Sequence, residues 1–491
     1  MRLTLMGNQE RSVLDKVDAY APVANKATYL VVIASYLGHE GVRFAQMDVV
    51  QAYLSSAMKR LVYVKHPPGF EMRTNDKGRL TYRKLAKGEA PPSTVMRLRL
   101  ALYGGMECGR IFWDLWVSFH VQSLGFEQLH YDQCVLRKEV GDSFIILVFH
   151  VDDSLVVRKG DALWDQYQRD LGKRLEVTVS PLQQLLGTRI RLQVERGIAI
   201  LDQEHQIRKM LAVFGFDKAN VKRVKSPMPK DVPTLQDVPK DAKEIALARA
   251  KFDFAAFVGH ANWLQQGTRP GLSLPLKICS KFMRAWGEAH ITFAHHILRW
   301  LSTTSAMPLV LRSGYDMGIQ IFTDASHASD PDTRRSIMGI VVKVAGNTVA
   351  WTATFSRIVS HSSCESELMA LDKGVTIGQF IKWLLELTKR PTKAPMGIFV
   401  DNQAALDLSS NPIQPGRNLH IHARYFYVRD MYMACAFALC KIRTERQIAD
   451  ALVTFKGGDT FNYLLRLVMG CAVAVMNPES HEFEWNESLI M

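Results

Sequence analysis

Two adjacent aspartates interrupt a long apolar stretch of the chain. Residues 144–157 carry β-branched and aromatic side chains on both sides of Asp152 and Asp153. Such flanks predict two buried strands joined by a tight turn at the acidic pair. A turn of this kind usually carries Asn-Gly or Asp-Gly, because those residues tolerate a left-handed backbone. Neighbouring carboxylates repel each other, so the pair indicates either a polar hairpin tip or a site for a divalent cation.

A segment about a hundred residues upstream supplies a third carboxylate. Residues 42–54 predict an apolar strand that carries Asp48 and is followed by Tyr53. Two-metal phosphoryl transfer needs acidic side chains from separate strands that converge on ions about 3.5–4 Å apart. A strand with one aspartate beside an Asp-Asp hairpin is one way to build such a site. Taken alone, Tyr53 would be an ordinary core tyrosine.

The second half of the chain contains a separate set of four acids. The pattern places Asp324 at the end of a strand, Glu367 near the start of a capped helix, Asp401 between a strand and a helix, and Asp450 on a short helix. Four carboxylates from different elements suit a two-metal site at which water attacks a phosphodiester. Each acid also has a simpler explanation. Asp324 and Asp401 could be helix N-caps, Glu367 a solvated first-turn acid and Asp450 a surface residue.

The ordered motifs resemble the reverse transcriptase and ribonuclease H of copia-type retrotransposons. The resemblance rests first on Gln46-Met47-Asp48-Val49 with Ala52-Tyr53-Leu54, and on Val151-Asp152-Asp153. It extends from about Arg2 to Leu452. Further matching blocks are Ala21-Pro22-Val23, residues 62–70, 102–104 with Arg110, 124–126, 132–134, 257–259, 268–270 and 332–336, His420-Ile421, Arg424-Tyr425 and Arg429.

The resemblance implies a multidomain fold of mixed α/β and α+β type. A right-hand polymerase with partial fingers, palm and a thumb or connection would be followed by a ribonuclease H-like α/β domain. The expected ranges are 1–205 for fingers and palm, 206–315 for thumb or connection, 316–455 for the ribonuclease H-like domain and 456–491 for a tail of unknown role. Residues 72–92 read as a loop, and 226–239 as a proline-spaced linker.

The resemblance also implies roles for individual residues. Asp48, Asp152 and Asp153 would be the metal-binding catalytic triad of the polymerase. Tyr53 would lie under the sugar of the incoming nucleotide and exclude a 2′-hydroxyl, and Arg110 would also bind the nucleotide. The catalytic metal ligands of the nuclease would be Asp324, Glu367, Asp401 and Asp450. Glu367 takes this role rather than Glu365, because Glu-Leu-Met-Ala fits the ribonuclease H pattern better.

Mg²⁺, with Mn²⁺ as the alternative, is the implied cofactor, and the implied partners are an RNA template, a DNA primer, dNTPs and RNA–DNA hybrid. Other parts of a retroelement polyprotein would be further partners. Composition agrees, since 61 Lys and Arg against 48 Asp and Glu give a net charge of +13, as expected for a protein that handles nucleic acid. The alternative is a merely basic protein.

Cysteine usage and hydropathy predict an intracellular protein. Seven cysteines, an odd number without a Cys-x-x-Cys pair, argue against a disulfide framework and a zinc finger, and they fit a reducing compartment. No signal peptide opens the chain, and the apolar run 467–476 is too short to cross a bilayer. We therefore expect a cytoplasmic particle or the nucleus, without secretion or membrane insertion.

Departures from the family pattern leave the present activity open. His150 replaces a tyrosine before the aspartate pair, and Glu107 adds a negative charge that should weaken phosphate binding. The chain also opens inside the expected fingers region, so the first fingers strands are expected to be absent. All seven candidate carboxylates remain. Three functions stay open: polymerase with nuclease, nuclease alone, or a degenerate copy that at most binds nucleic acid.

Overall fold

The computed structural model describes residues 4–5, 20–67, 69–74, 80–217, 221–392, 394–411, 426–455, 457–471, 473–476 and 483–486. The chain divides into two compact units. The first comprises Met1–Ala24 and Met47–Ser180, and the second comprises Asn25–Gln46 and Pro181–Met491. The predicted domain boundaries after residues 205, 315 and 455 are not tested by this division and stay predictions.

The described chain consists of runs of strands separated by helices. The strands are β1 (Val42–Val49), β2 (Ala57–Lys65), β3 (Phe70–Thr74), β4 (Leu80–Lys84), β5 (Val95–Leu100), β6 (Glu127–Gln128), β7 (Val135–Val140), β8 (Ser143–His150), β9 (Asp153–Lys159), β10 (Val177–Pro181), β11 (Gln184–Leu185), β12 (Thr188–Gln193), β13 (Ile198–Asp202), β14 (Leu309–Arg312), β15 (Ile319–Ser326), β16 (Ile337–Val344), β17 (Asn347–Phe355), β18 (Met396–Val400), β19 (Phe437–Lys441), β20 (Val473–Met476) and β21 (Phe483–Asn486). The α-helices are α1 (Lys26–Tyr36), α2 (Cys108–Ser118), α3 (Asp161–Gly172), α4 (Glu204–Val213), α5 (Ala242–Lys251), α6 (Phe254–Gly267), α7 (Ser273–Cys279), α8 (Glu288–Thr303), α9 (Ser363–Leu387), α10 (Gln403–Ser410), α11 (Phe426–Met433) and α12 (Gly458–Val468).

The core of the first unit forms around a sheet with the strand order β10-β1-β9-β8-β7-β6. Residues 145–149 of β8 and 155–157 of β9 are almost fully buried, as expected for continuous apolar strands. Trp116 of α2 lies against Phe149 with ring centroids 6.2 Å apart. Tyr167 of α3 is also buried. The apolar strands thereby hold the acidic hairpin on a rigid support.

One sequence expectation in the first unit is wrong. Residues 72–92 were expected to form a loop, but β3 and β4 pair as an antiparallel hairpin from Phe70↔Lys84 to Thr74↔Leu80. Arg83 on β4 makes ion pairs with Glu71 and Glu89. The Arg83–Glu71 ion pair crosses the two strands and contributes to a pairing that the polar composition did not indicate.

The second unit contains a mixed five-stranded sheet in the order β17-β16-β15-β18-β19. β15 pairs with β16 in antiparallel fashion and with β18 in parallel, and β18 runs parallel to β19. All eight residues of β16 are buried, so this strand lies in the core. A second sheet has the order β11-β12-β13-β14, and helices α4 to α8 lie between β13 and β14 in the chain.

Helix α9 packs closely on β15 because two of its residues lack side chains. A Cβ atom at Gly374 would lie 2.6 Å from Cγ2 of Thr323, and one at Gly378 would lie 2.3 Å from Cδ1 of Ile321. Both distances are shorter than real Cβ contacts. The two glycines therefore let a long helix approach the strand, and a larger residue at either position would push the helix away.

The predicted combination of α/β and α+β regions is confirmed by these sheets. No helix in the described ranges is both long and apolar enough to cross a membrane. The apolar run 467–476 instead begins at the end of α12 and ends with β20.

Candidate active sites

The acidic pair lies at the tip of the β8–β9 hairpin, as predicted. His150 pairs with Asp153, so Val151 and Asp152 form a two-residue loop. Val151 adopts a φ of 61°, a left-handed conformation that is costly for a β-branched residue. A positive φ at the first loop residue alone matches a type II′ turn, where glycine is preferred. The hairpin tip is therefore strained because valine occupies this position, and the buried strands β8 and β9 hold the tip in place.

Asp48 lies beside this tip, at the end of β1. The backbone N–H of Val49 donates a 3.3 Å hydrogen bond to the carbonyl oxygen of Asp152, which brings the two aspartate-bearing segments together. Burial raises the pKa of Asp48, and the charges of Asp152 and Asp153 raise it further. Burial and then the charge of Asp152 also raise the pKa of Asp153. The three predicted carboxylates thus share one electrostatic environment, which a divalent cation would relieve.

Tyr53 lies in a 3-10 helix, Ala52–Ser55, directly after β1. Its ring centroid is 4.5 Å from that of Tyr103 and 6.1 Å from that of Phe112. Burial raises the pKa of Tyr53, and the nearby charge of Asp152 adds to this shift. The structure therefore places Tyr53 close to the hairpin acids, where the sequence predicted a nucleotide sugar.

Two charged residues near α2 have partners that the sequence did not indicate. The Nε of Arg110 donates to Asp114, 2.8 Å away, one helical turn later. Glu107 was expected to weaken phosphate binding, but its carboxylate accepts a 2.8 Å hydrogen bond from Nε of Arg60. Since an ion pair offsets its charge, Glu107 adds less repulsion than the sequence suggested.

The four acids of the second unit come from four different elements. Asp324 lies within β15, Asp401 follows β18 directly, Glu367 lies in the second turn of α9, and Asp450 lies in a 3-10 helix, Ile448–Leu452. The N-cap of α10 is Asn402 rather than Asp401. Asp324, Glu367 and Asp450 are buried. The explanations as caps, a solvated acid and a surface residue are therefore wrong.

Carboxylate oxygens of Asp324, Glu367 and Asp401 all lie within 4.8 Å of one another. Burial raises the pKa of Asp324 well above its usual value, and the charges of Asp450 and Asp401 raise it further. Burial, followed by the charges of Asp324 and Asp401, raises the pKa of Glu367 to about 9. Three acids held this close, with Asp450 beside Asp324, are stable together only if some are protonated or a cation lies between them.

The donor set of this cluster fits a divalent cation. Carboxylate oxygens are the ligands that Mg²⁺ and Mn²⁺ prefer. The Oε2 atom of Glu367 is buried and has no hydrogen-bond partner, as expected for a ligand oxygen that faces a metal position. Within the described ranges, this is the set of acids whose oxygens approach closely enough to hold one ion. The hairpin acids of the first unit offer the same donor type but do not form a group of this closeness.

Glu365, two residues before Glu367, has a different environment. One of its carboxylate oxygens accepts a 2.7 Å hydrogen bond from the backbone N–H of His361. It therefore stabilises the start of α9, where the side chain of Ser362 also accepts from the N–H of Glu365. The choice of Glu367 as the cluster acid agrees with this placement.

Sequence reasoning did not single out two residues that contact Asp401. The hydroxyl of Thr444 donates to its Oδ2, 2.9 Å away, and Lys441 donates to its carbonyl oxygen. Neither has a motif that would identify it in advance, since Lys441 ends β19 and Thr444 lies in an ordinary polar segment after it. Four of the matching residues, His420, Ile421, Arg424 and Tyr425, lie outside the described ranges.

Comparison with known proteins finds similarity to reverse transcriptases and retrotransposon polyproteins. Residues 1–230 match the family model described as reverse transcriptase (RNA-dependent DNA polymerase). The chain is 27% identical over 470 residues to a retrovirus-related Pol polyprotein from transposon TNT 1-94 of Nicotiana tabacum, covering 95% of this chain and 34% of the relative. Over most of its length the chain is thus similar to Pol polyproteins of copia-type retrotransposons, and its first 230 residues match the reverse transcriptase model.

A second relative shows the same pattern. The Pol polyprotein from transposon RE1 of Arabidopsis thaliana is 28% identical over 454 residues, which cover 92% of this chain and 29% of the relative. The chain thus spans about a third of the length of these curated relatives. Among solved structures, a foamy viral protease-reverse transcriptase in complex with double-stranded DNA gives a TM-score of 0.46 at 10% identity, covering 90% of this chain and 63% of the other. That structural similarity is too low to support a functional conclusion.

Proposed function

We propose that the chain is an RNA-directed DNA polymerase with ribonuclease H activity, which copies retrotransposon RNA into DNA and degrades RNA in RNA–DNA hybrids. The observation that carries the proposal is the presence of two separate carboxylate sets in one chain of a reverse transcriptase family. One set lies at a strand and hairpin of the first unit, and the other lies on the mixed sheet of the second unit. Each set suits phosphoryl transfer.

The polymerase reaction would occur at Asp48, Asp152 and Asp153. These carboxylates would hold two Mg²⁺ ions, which when bound activate the primer 3′-hydroxyl and neutralise the charge on the leaving pyrophosphate. In the reaction, the 3′-oxygen forms a bond to the α-phosphorus of a dNTP while the bond to pyrophosphate breaks. Tyr53 would support the sugar from below, and its aromatic neighbours fix the ring. A 2′-hydroxyl would then meet the ring, which explains selection of deoxynucleotides.

The nuclease reaction would occur at Asp324, Glu367, Asp401 and Asp450. These acids would hold divalent ions, which supply the hydroxide and stabilise the charge of the leaving 3′-oxygen. Water oxygen forms the new bond to phosphorus, and the bond to the 3′-oxygen of the RNA breaks. Thr444 donates a hydrogen bond to Asp401 and so fixes the orientation of that carboxylate. Burial of Asp324 and Glu367 keeps competing solvent away from the carboxylates.

A second candidate is a chain that retains the nuclease alone. It is favoured by the close approach of Asp324, Glu367 and Asp401, whose oxygens lie within 4.8 Å of one another, whereas the hairpin acids do not form such a group among the described residues. A degenerate copy that only binds nucleic acid is the third outcome. Under the main proposal the partners are RNA template, DNA primer, dNTPs, RNA–DNA hybrid and other parts of the Pol polyprotein. Seven free cysteines support a reducing, intracellular location.

The deciding experiment is a paired assay on the full chain with Mg²⁺ and then with Mn²⁺. One substrate is a primed RNA template with dNTPs, and the other is a labelled RNA–DNA hybrid. We expect Asp152→Asn to abolish primer extension and leave hybrid cleavage unchanged. We expect Glu367→Gln to abolish hybrid cleavage, while the matched control Glu365→Gln, which keeps an oxygen for the His361 N–H, retains it.

The outcomes separate the three functions. Cleavage without primer extension would leave the nuclease alone. Loss of cleavage in both glutamate variants would contradict the assignment of Glu367 as the metal ligand. Inactivity of the folded parent in both assays would mean a degenerate copy.

A further inference from the structure

The side chain of Gln447 lies under the nuclease acids and is fully buried. Its Nε2 donates to the carbonyl oxygen of Thr323, 2.9 Å away, and to that of Phe399, 3.2 Å away. Thr323 directly precedes Asp324 on β15, and Phe399 lies two residues before Asp401 on β18. One amide group therefore bonds to the backbone of two strands that each carry a catalytic acid.

These two bonds continue the sheet beyond the point where strand pairing stops. β15 and β18 pair in parallel up to Phe322↔Phe399. Beyond that pair, the two strands deliver Asp324 and Asp401 to the cluster. The amide of Gln447 spans the gap there, because its two hydrogens reach one carbonyl on each strand. The separation of the two backbones, and hence of the two carboxylates, depends on this bridge.

The same side chain also fixes the third acid-bearing element. Gln447 is the N-cap of the 3-10 helix Ile448–Leu452, and its Oε1 accepts a 3.3 Å hydrogen bond from the N–H of Ala449. Asp450 follows one residue later. The two N–H donors and the oxygen acceptor of the side-chain amide thus bond to three separate backbone segments. Glutamate lacks the donors and methionine lacks both functions, so the site requires an amide.

We infer that Gln447 is a positioning residue, whose amide holds the backbones of Asp324, Asp401 and Asp450 at the spacing that a divalent cation requires. The inference rests on the proposed nuclease function and adds a determinant of its metal affinity. Gln447 acts through the three acids and does not touch the reacting atoms. Groups that orient metal ligands in this way typically change metal affinity by about 10–100-fold when they are replaced.

The test measures metal binding directly as well as activity. Mn²⁺ affinity would be measured by electron paramagnetic resonance on the full chain carrying Asp48→Asn, Asp152→Asn and Asp153→Asn, so that the polymerase acids do not contribute. Gln447→Met in this background is expected to weaken Mn²⁺ binding by about 10–100-fold. The Mg²⁺ concentration for half-maximal hybrid cleavage should rise in parallel, and KM for the hybrid should stay unchanged.

Two further variants make the result interpretable. Gln403→Met, at an exposed glutamine of α10 that bonds only to Asp407 among the contacts described, should leave Mn²⁺ affinity unchanged. Gln447→Asn keeps an amide on a shorter side chain and replaces the methionine variant in the test if that variant fails to fold. It should also weaken Mn²⁺ binding.

Each outcome then decides the inference. The inference would be overturned if folded Gln447 variants kept the parental Mn²⁺ affinity, even if their melting temperature were lower. It would also be overturned if the acid cluster of the parent bound no Mn²⁺. A parent that binds Mn²⁺ but cleaves no hybrid would overturn the proposed function, while the affinity ratio would still decide the role of Gln447.

Discussion

At the scale of single residues, the strained tip of the hairpin has a measurable cost. Val151 adopts a positive φ, which costs a β-branched residue about 1–2 kcal/mol. Val151→Gly removes this cost, and the greater flexibility of unfolded glycine offsets about 1 kcal/mol of the gain. We expect the variant to remain within about 0.5 kcal/mol of the parent in unfolding free energy, as measured by urea titration.

The matched control is Val140→Gly, at an exposed position of β7 with an ordinary φ. The substitution relieves no backbone strain at this position, so the unfolding free energy of the variant should fall by about 1 kcal/mol. Equal losses in the two variants would show that the backbone of Val151 is not strained.

At the scale of elements, the start of α9 determines where Glu367 lies. The side chain of Ser362 accepts a 3.1 Å hydrogen bond from the N–H of Glu365. Ser362→Ala should lower the unfolding free energy by about 1 kcal/mol and reduce hybrid cleavage, because the first turns of α9 carry the acid. Ser363→Ala, one residue further, removes a hydroxyl with no described bond and should leave both quantities unchanged. A stable and fully active Ser362→Ala chain would contradict the prediction.

A buried histidine should make the first unit sensitive to acid. His120, in a short π-helix after α2, bonds to Tyr167 Oη at 2.9 Å, and burial lowers its pKa to about 4. In the unfolded chain this side chain takes up a proton near pH 6.5. Neutral His120 therefore makes its full contribution to the unfolding free energy above pH 6.5. This contribution falls as the pH decreases and is lost below about pH 4. The loss amounts to about 3 kcal/mol.

Urea midpoints of the full chain between pH 4 and 7, followed by tryptophan fluorescence, would measure this dependence. His120→Gln should flatten the curve in that window, whereas the exposed His130→Gln should retain the parental slope. Identical slopes for all three proteins would exclude His120 as the source.

At the scale of the whole molecule, the net charge of +13 should dominate the binding of nucleic acid. If about six phosphates are neutralised, affinity for an RNA–DNA hybrid should fall roughly a thousandfold between 50 and 200 mM salt. Fluorescence anisotropy in EDTA, which prevents cleavage, would measure the slope. An affinity that hardly changes with salt would mean that the basic residues do not contact the backbone.

Much of the local structure follows from the sequence because it depends on near neighbours. Apolar runs around Asp152 predicted the β8–β9 hairpin, and the serines before Glu365 predicted the capped start of α9. The hairpin β3–β4 was missed, since its strands are polar and are paired by charges across the ribbon. The ion pair of Glu107 was missed for a related reason, because Arg60 lies 47 residues away.

The sequence by itself determined the family resemblance, the seven candidate carboxylates and the elements that carry them, because motif order and apolar periodicity are properties of the chain alone. Only the tertiary structure decided which acids meet. It brought Asp324, Glu367 and Asp401 within 4.8 Å, separated Glu365 from them, and showed that the Gln447 amide joins three backbone segments. Such distances depend on strand register and helix packing, which bring together residues that are far apart in the chain.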